Sequence, residues 1–194
     1  MKQIGPGLFE LGGVRLDKPQ RAISFPAVLN MDTNLIEYLI VTVSGKTHES
    51  LLRTEVAPYQ IHVALLLLGG HGAGTNAFPE NHAQPLPGDK VNIELSWKVD
   101  GKAKQRRAEK CIRNRQTQSL MSPGPWIYNG SRMVEGAFIA QEIGSIVSLI
   151  EDPDALINNP RPGRDNDKIW DINPEGLPPL NSPVQVTIKL EGGP

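Results

Sequence analysis

Cysteine is almost absent: Cys111 is the single one in 194 residues. That excludes an internal disulfide and any zinc or iron–sulfur site needing four cysteines from one chain. Net charge is small too, at −1, so the chain as a whole has no electrostatic claim on nucleic acid or an anionic lipid surface. Aromatics make up only 5%, whereas Gly (19) and Pro (17) are abundant, which favours turns and short strands over a helical bundle. No apolar run approaches the roughly 20 residues of a transmembrane helix. The opening MKQIGPGLFELGG lacks the apolar stretch of a signal peptide, so none is expected in the sequence as it stands.

Catalytic signatures are missing as well. There is no Gly-x-Ser-x-Gly elbow. His48-Glu49 begins like a zinc-protease signature, but position 52 is leucine where the second histidine belongs. Ser44-Gly45-Lys46-Thr47 resembles the end of a phosphate-binding loop, yet position 40 is isoleucine where that motif has glycine, so a tight hairpin turn is expected. Cys111 sits among Arg107, Lys110 and Arg113, a setting that lowers a thiol pKa, but no base is close to it in sequence. A non-catalytic protein is the expected reading.

What the chain does have, within one domain's length, is a strong helix signal. Pro58 suits a first helical turn, Gly69 and Gly70 suit a helix end, and Ile61 to Leu68 is apolar on almost every side. A helix covered on most faces is expected near 58–68. His62 is its polar exception. It reads either as a core histidine satisfied by backbone groups or as a ligand facing His48. His48, Glu49 and His62 together form the one constellation suited to a divalent transition metal such as zinc, copper or iron. His71 and His82 fall in the 69–87 loop, which reads as a mobile surface loop or a lid over a site; a hydrolase under that lid would still lack a nucleophile.

Elsewhere the pattern is β. Short strands broken by turns are expected over 7–29, with Pro26 making Ala22–Leu29 an edge or irregular strand. Glu37–Val43 is a strong β run, and His48–Leu52 would be its returning hairpin partner. Val91, Ile93, Leu95, Trp97 and Val99 alternate with polar residues, and Asp100-Gly101 is a hairpin turn. Its partner strand is basic. A two-residue turn sets Lys102, Lys104 and Arg106 opposite Val99, Trp97 and Leu95; a one-residue shift sets Ala103, Gln105 and Arg107 there. Across 98–115 eight Lys and Arg stand against Asp100 and Glu109, a local +6 that leaves about −7 for the remainder. A solvated edge strand is expected, with an anionic partner as the alternative.

Asn129-Gly130-Ser131 is formally a glycosylation sequon. Two further strands are expected over 132–140 and 145–150 around a 141–144 turn. Asp152 and Pro153 signal a short helix near 153–158, stopped by Asn158-Asn159-Pro160. Arg161, Arg164, Asp165 and Asp167 then form a salt-bridged turn or a ligand or cation site. Seven prolines fall between 153 and 183, so 152–183 reads as a wrapping segment of a single domain. Val184–Leu190 alternates and would return to the sheet.

The phrases GKTHESLL, PYQIHVALLLLG, GPWIYNGS, GSIVSLIEDPDALINNPRPGRDND and PVQVTIKL resemble the YdjY-domain proteins of bacteria, over roughly 35–190. DPDALINNPRPGRD is the most specific of them. The resemblance implies no biochemical activity and supplies no catalytic residues. It implies an extracytoplasmic home, in the periplasm or at the cell surface. Some relatives carry a ferredoxin-like label, from which a chain with Cys111 alone departs.

The resulting expectation is a mainly-β domain, a β-sandwich of immunoglobulin-like or related kind. Its function would be a cell-envelope binding or structural module for another protein or itself, as a homo-oligomer. Binding candidates are Lys102, Lys104, Arg106, Arg161, Arg164, Asp165 and Asp167. The alternative is a metal-binding protein using His48, Glu49 and His62.

Overall fold

The computed structural model describes residues 1–74 and 78–192. The chain opens with a ribbon of β1 (Lys2–Gly5), β2 (Leu8–Leu11) and β3 (Val14–Asp17), then β4 (Ala22–Leu29), β5 (Tyr38–Thr42), β6 (Ser50–Thr54) and helix α1 (Pro58–Leu67). The hairpin β7 (Asp89–Val99) and β8 (Lys102–Arg107) follows, then β9 (Ile112–Asn114), β10 (Trp126–Tyr128), β11 (Met133–Val134) and β12 (Ala137–Phe138). Helix α2 (Ile139–Ile143), β13 (Ser145–Ser148), β14 (Ile157–Asn158), β15 (Trp170–Ile172) and β16 (Pro183–Leu190) complete the order.

The sheet closes on itself. Its order runs β4-β16-β7-β10-β14-β13-β5-β6, and β6 pairs back onto β4 through Val28–Arg53 and Leu29–Leu52. Mainly β is therefore right, but the expected sandwich is wrong: this is an eight-stranded barrel. Small barrels of this strand number fill their interior with side chains. Here Ile23, Phe25, Leu29, Ile93, Leu95, Val186 and Ile188 from three long strands meet Leu39, Leu52 and Ile146 from the short ones, all buried.

Closure depends on two long strands that each change neighbours. On one edge β4 follows β16 throughout; on the other it pairs with β3 over Ala22–Ser24 and with β6 over Val28–Leu29. Pro26 sits at the changeover. The Asn30 N–H points to the β6 side and the Leu29 N–H to the β16 side, so by alternation the missing donor of Pro26 faces the gap between β3 and β6. Its carbonyl there accepts the Thr54 hydroxyl at 2.6 Å. Of the edge or irregular strand expected, the edge is wrong: proline marks a changeover of neighbours within a barrel strand. Likewise β7 carries β10 and then β8 on the edge opposite β16.

Three local expectations are also corrected. β5 and β6 are parallel, with Tyr38 beside Ser50 and Ile40 beside Leu52, so 44–47 is no hairpin turn. The chain doubles back through a seven-residue link, 43–49, that ends in a 3-10 turn at Thr47–Glu49. The 132–140 strand is instead the β11–β12 hairpin, and the expected 141–144 turn is α2, ended by Gly144 at φ 74. No helix forms at 153–158. The Asp152 carboxylate accepts the Asp154 N–H at 2.9 Å, a turn, and Ile157–Asn158 then fills the barrel between β10 and β13. The cap signal was local and real, but pairing with two strands outweighs one turn of helix.

Where the pattern was regular, the structure follows it. β7 alternates as expected, and Asp100 and Gly101 both take positive φ in a two-residue turn. Lys102, Lys104 and Arg106 lie opposite Val99, Trp97 and Leu95, the first of the two registers. α1 starts on Pro58, and Gly69 and Gly70 donate to the Leu66 and Leu65 carbonyls at its end.

Candidate binding surface

α1 was expected to be covered on most faces; it is covered in part. Pro58, Ile61, Ala64 and Leu65 are buried, and the helix packs on β3, β4 and α2. Tyr59, His62, Val63, Leu66 and Leu67 lie at helical spacing on the other side. Tyr59 is 58% exposed and Leu66 42%. The Tyr59 N–H donates to Gln141 Oε1 at 3.3 Å, and its ring meets Phe138 edge-on at 6.3 Å. Those contacts bring in Met133, Val134 and Ile143 from the β11–β12 hairpin and α2, all exposed. Of twelve exposed large hydrophobics among the described residues, six lie on α1, this hairpin and α2. Scattered apolar residues need no explanation, but a clustered set marks a contact surface.

The expected metal constellation is not brought together. His48 is exposed and stands 3.8 Å from Glu49, whose carboxylate also pairs with Lys46 at 3.2 Å. His62 has other neighbours: its Nδ1 lies 2.8 Å from the Tyr128 hydroxyl and its ring 4.9 Å from Phe138. No hydrogen bond, ion pair or ring contact joins His62 to His48 or Glu49. Among the described residues no group of three or more His, Cys, Asp or Glu side chains is placed to hold a metal ion.

Burial holds the His62 imidazole below the usual histidine range. The unfolded chain therefore takes up that proton at higher pH than the folded protein does. The contribution to stability is full above about pH 6.5 and is lost as pH falls below it. His62→Gln is expected to flatten the fall in Tm between about pH 7 and 5; a slope equal to wild type would contradict this. Glu37 and Asp152 act oppositely and at lower pH, because burial raises both.

The remaining candidates divide. Lys102 and Lys104 are exposed on β8, while Arg106 donates to the Glu175 carbonyl. Arg161 and Arg164 are buried, and their partners are not Asp165 and Asp167. Arg161 pairs with Glu109 at 3.1 Å and Arg164 with Glu151 at 2.6 Å. Asp165 and Asp167 are exposed and line a shallow cavity of about 410 Å³ with His82, Glu151 and Pro153. His82 Nδ1 lies 3.1 Å from Glu151, Arg164 Nη2 donates to the Gln84 carbonyl at 2.7 Å, and the His71 and Gly72 N–H groups both donate to Asp89. The 69–87 loop is thus tied down at both described ends; its residues 75–77 lie outside the described residues.

Two chemical readings fall. The Cys111 thiol is pushed up to about 12 by burial, which outweighs the nearby Arg106, so it is no ready nucleophile. Asn129 of the sequon is buried, donating to the Pro87 carbonyl and accepting from Asn158, which leaves no place for a glycan in the folded chain.

The profile of the YdjY domain matches residues 14–189. The chain belongs to the YdjY-domain family. No curated protein and no solved structure matches it. Within the matched span, Asp152, Asn158, Asn159, Arg161 and Arg164 tie β14 and its flanks to neighbouring segments. The exposed face of α1 was missed because a helix apolar on all sides does not reveal which side its neighbours cover. No helix among the described residues is long and apolar enough to cross a membrane.

Proposed function

We propose that this YdjY-domain protein is a non-catalytic binding module of the cell envelope, which docks another protein or a second copy of itself on the outward face of α1. The supporting observation is that six of the twelve exposed large hydrophobics among the described residues, Tyr59, Leu66, Leu67, Met133, Val134 and Ile143, lie on α1, the β11–β12 hairpin and α2, which Tyr59 joins through Phe138 and Gln141. The envelope location rests on the family resemblance. A photo-crosslinker placed at Leu66 should give one discrete adduct, with the protein itself or with one envelope protein, and none when placed at exposed Ser44. Leu66→Glu should abolish the same association with little change in Tm, as exposed substitutions stay within about ±0.5 kcal/mol. Absence of any adduct specific to Leu66, in purified protein and in envelope extract alike, would end this reading.

A further inference from the structure

The free edge of β8 has a chemistry of its own. Asp100 and Gly101, at φ 49 and 75, make the two-residue turn in which the flanking residues, Val99 and Lys102, form a hydrogen-bonded pair. Pairs then alternate, so Lys102, Lys104 and Arg106 direct their backbone groups to β7. Ala103 and Gln105 direct theirs outward. Among the described residues β8 pairs with β7 alone, and no backbone group of Ala103 or Gln105 has another partner. Residues 102–105 are exposed. At the far end of the same sheet, the free edge of β1 is a poor template because its pairing with β2 is bulged between Gln3 and Gly5.

We propose that the β8 edge accepts an extended acidic segment of another protein as an added strand. Ala103 and Gln105 would supply main-chain hydrogen bonds, the usual source of affinity in strand addition. Lys102 and Lys104 share one face of the strand, two residues apart. They fit carboxylates at every second position of the incoming segment, on a stretch carrying +6 over 98–115. The same lysines repel the β8 edge of another copy, so the charge selects an acidic guest over self-pairing. These residues are separate from the α1 face, and the two surfaces can be tested apart.

The test is fluorescence anisotropy on the full chain with three probes: a ten-residue peptide with glutamate at alternate positions and threonine or valine between, a peptide of the same composition with its glutamates in one block, and a single-stranded oligothymidine. The alternating peptide should bind best, and more weakly as salt rises. Ala103→Pro removes one outward N–H and no charge, a substitution an edge strand tolerates. It should weaken binding by about tenfold, or ~1.4 kcal/mol. The Lys102→Glu, Lys104→Glu double variant should weaken it at least as much, while Leu66→Glu should leave it unchanged. Unchanged far-UV circular dichroism and Tm would establish that both β8 variants are folded. Equal binding of all three probes, or binding indifferent to Ala103→Pro, would reduce the site to a charged patch and overturn strand addition. No binding of the alternating peptide at low salt would overturn it outright.

Discussion

Arg161→Ala is expected to destabilise the protein by about 3–5 kcal/mol, the range for removing one partner of a buried ion pair. Arg161 is 7% exposed and Glu109 1%. The guanidinium donates to Glu109 at 3.1 Å, Gly124 carbonyl at 2.7 Å, Ser122 carbonyl at 2.6 Å and Asn159 Oδ1 at 3.2 Å. It also lies 5.1 Å from the centre of the Trp126 ring. Burial draws the guanidinium below the usual arginine range, and Glu109 opposes that. Truncation leaves Glu109 buried with only Arg107, at 2.9 Å, and strips a donor from two carbonyls. Urea unfolding measures the loss. Arg161→Met keeps much of the volume and should lose nearly as much, because the buried Glu109 carboxylate keeps one cation where it had two and the Ser122 and Gly124 carbonyls lose a donor. Adding Glu109→Leu to Arg161→Met should recover a large part of it, since paired apolar replacements of buried ions are often neutral or better. A loss below about 1 kcal/mol for Arg161→Ala would place this pair with exposed ones.

Asn158→Ala is expected to cost about 3 kcal/mol or more, from three groups that each lose a buried partner at about 1–3 kcal/mol. Asn158 is fully buried in β14. Its Oδ1 accepts the Asp152 N–H at 2.8 Å; its Nδ2 donates to the Asp152 carbonyl at 2.8 Å and to Asn129 Oδ1 at 3.0 Å. Those bonds fold 152–157 back on itself and deliver Ile157 and Asn158 into the two-residue strand between β10 and β13. Asn158→Asp has nearly the same shape but sets an oxygen against two acceptors, so it should cost as much as alanine or more. If Asn158→Asp unfolds at the wild-type urea midpoint, these bonds do not hold β14.

The features readable in the sequence were those written by neighbouring residues. Val91–Val99 alternates, Asp100-Gly101 favours positive φ at both positions, and the register of Lys102–Arg106 follows from the length of that turn. Pro58 and the Gly69-Gly70 pair delimit α1 by chemistry acting within one helical turn. Features made by distant pairing were not readable. Nothing near Thr42 indicates that the chain doubles back to run β6 parallel to β5. Asp152-Pro153 reads as a helix start because the competing use of Ile157 and Asn158 lies on β10 and β13. Barrel closure rests on Leu29 meeting Leu52, a contact no periodicity encodes; the same alternation suits a sandwich. The site readings divided the same way. Exposed Lys102 and Lys104 on an edge strand were legible from their pattern. Arg161 and Arg164 were expected to bridge within their own turn; they pair instead with Glu109 and Glu151, which come from elsewhere in the chain. His62 was weighed as a core histidine or a ligand facing His48; the fold gives it Tyr128.

The closed ring is tested most directly by native-state amide exchange along the arc β14, β13, β5 and β6. A ring closed through β14 and through the β4–β6 pairing predicts that this arc exchanges only with global unfolding, at the same free energy as β4, β16 and β7. An arc that opens at much lower free energy, while those three strands stay protected, would contradict closure and leave an open sheet with a loose flap.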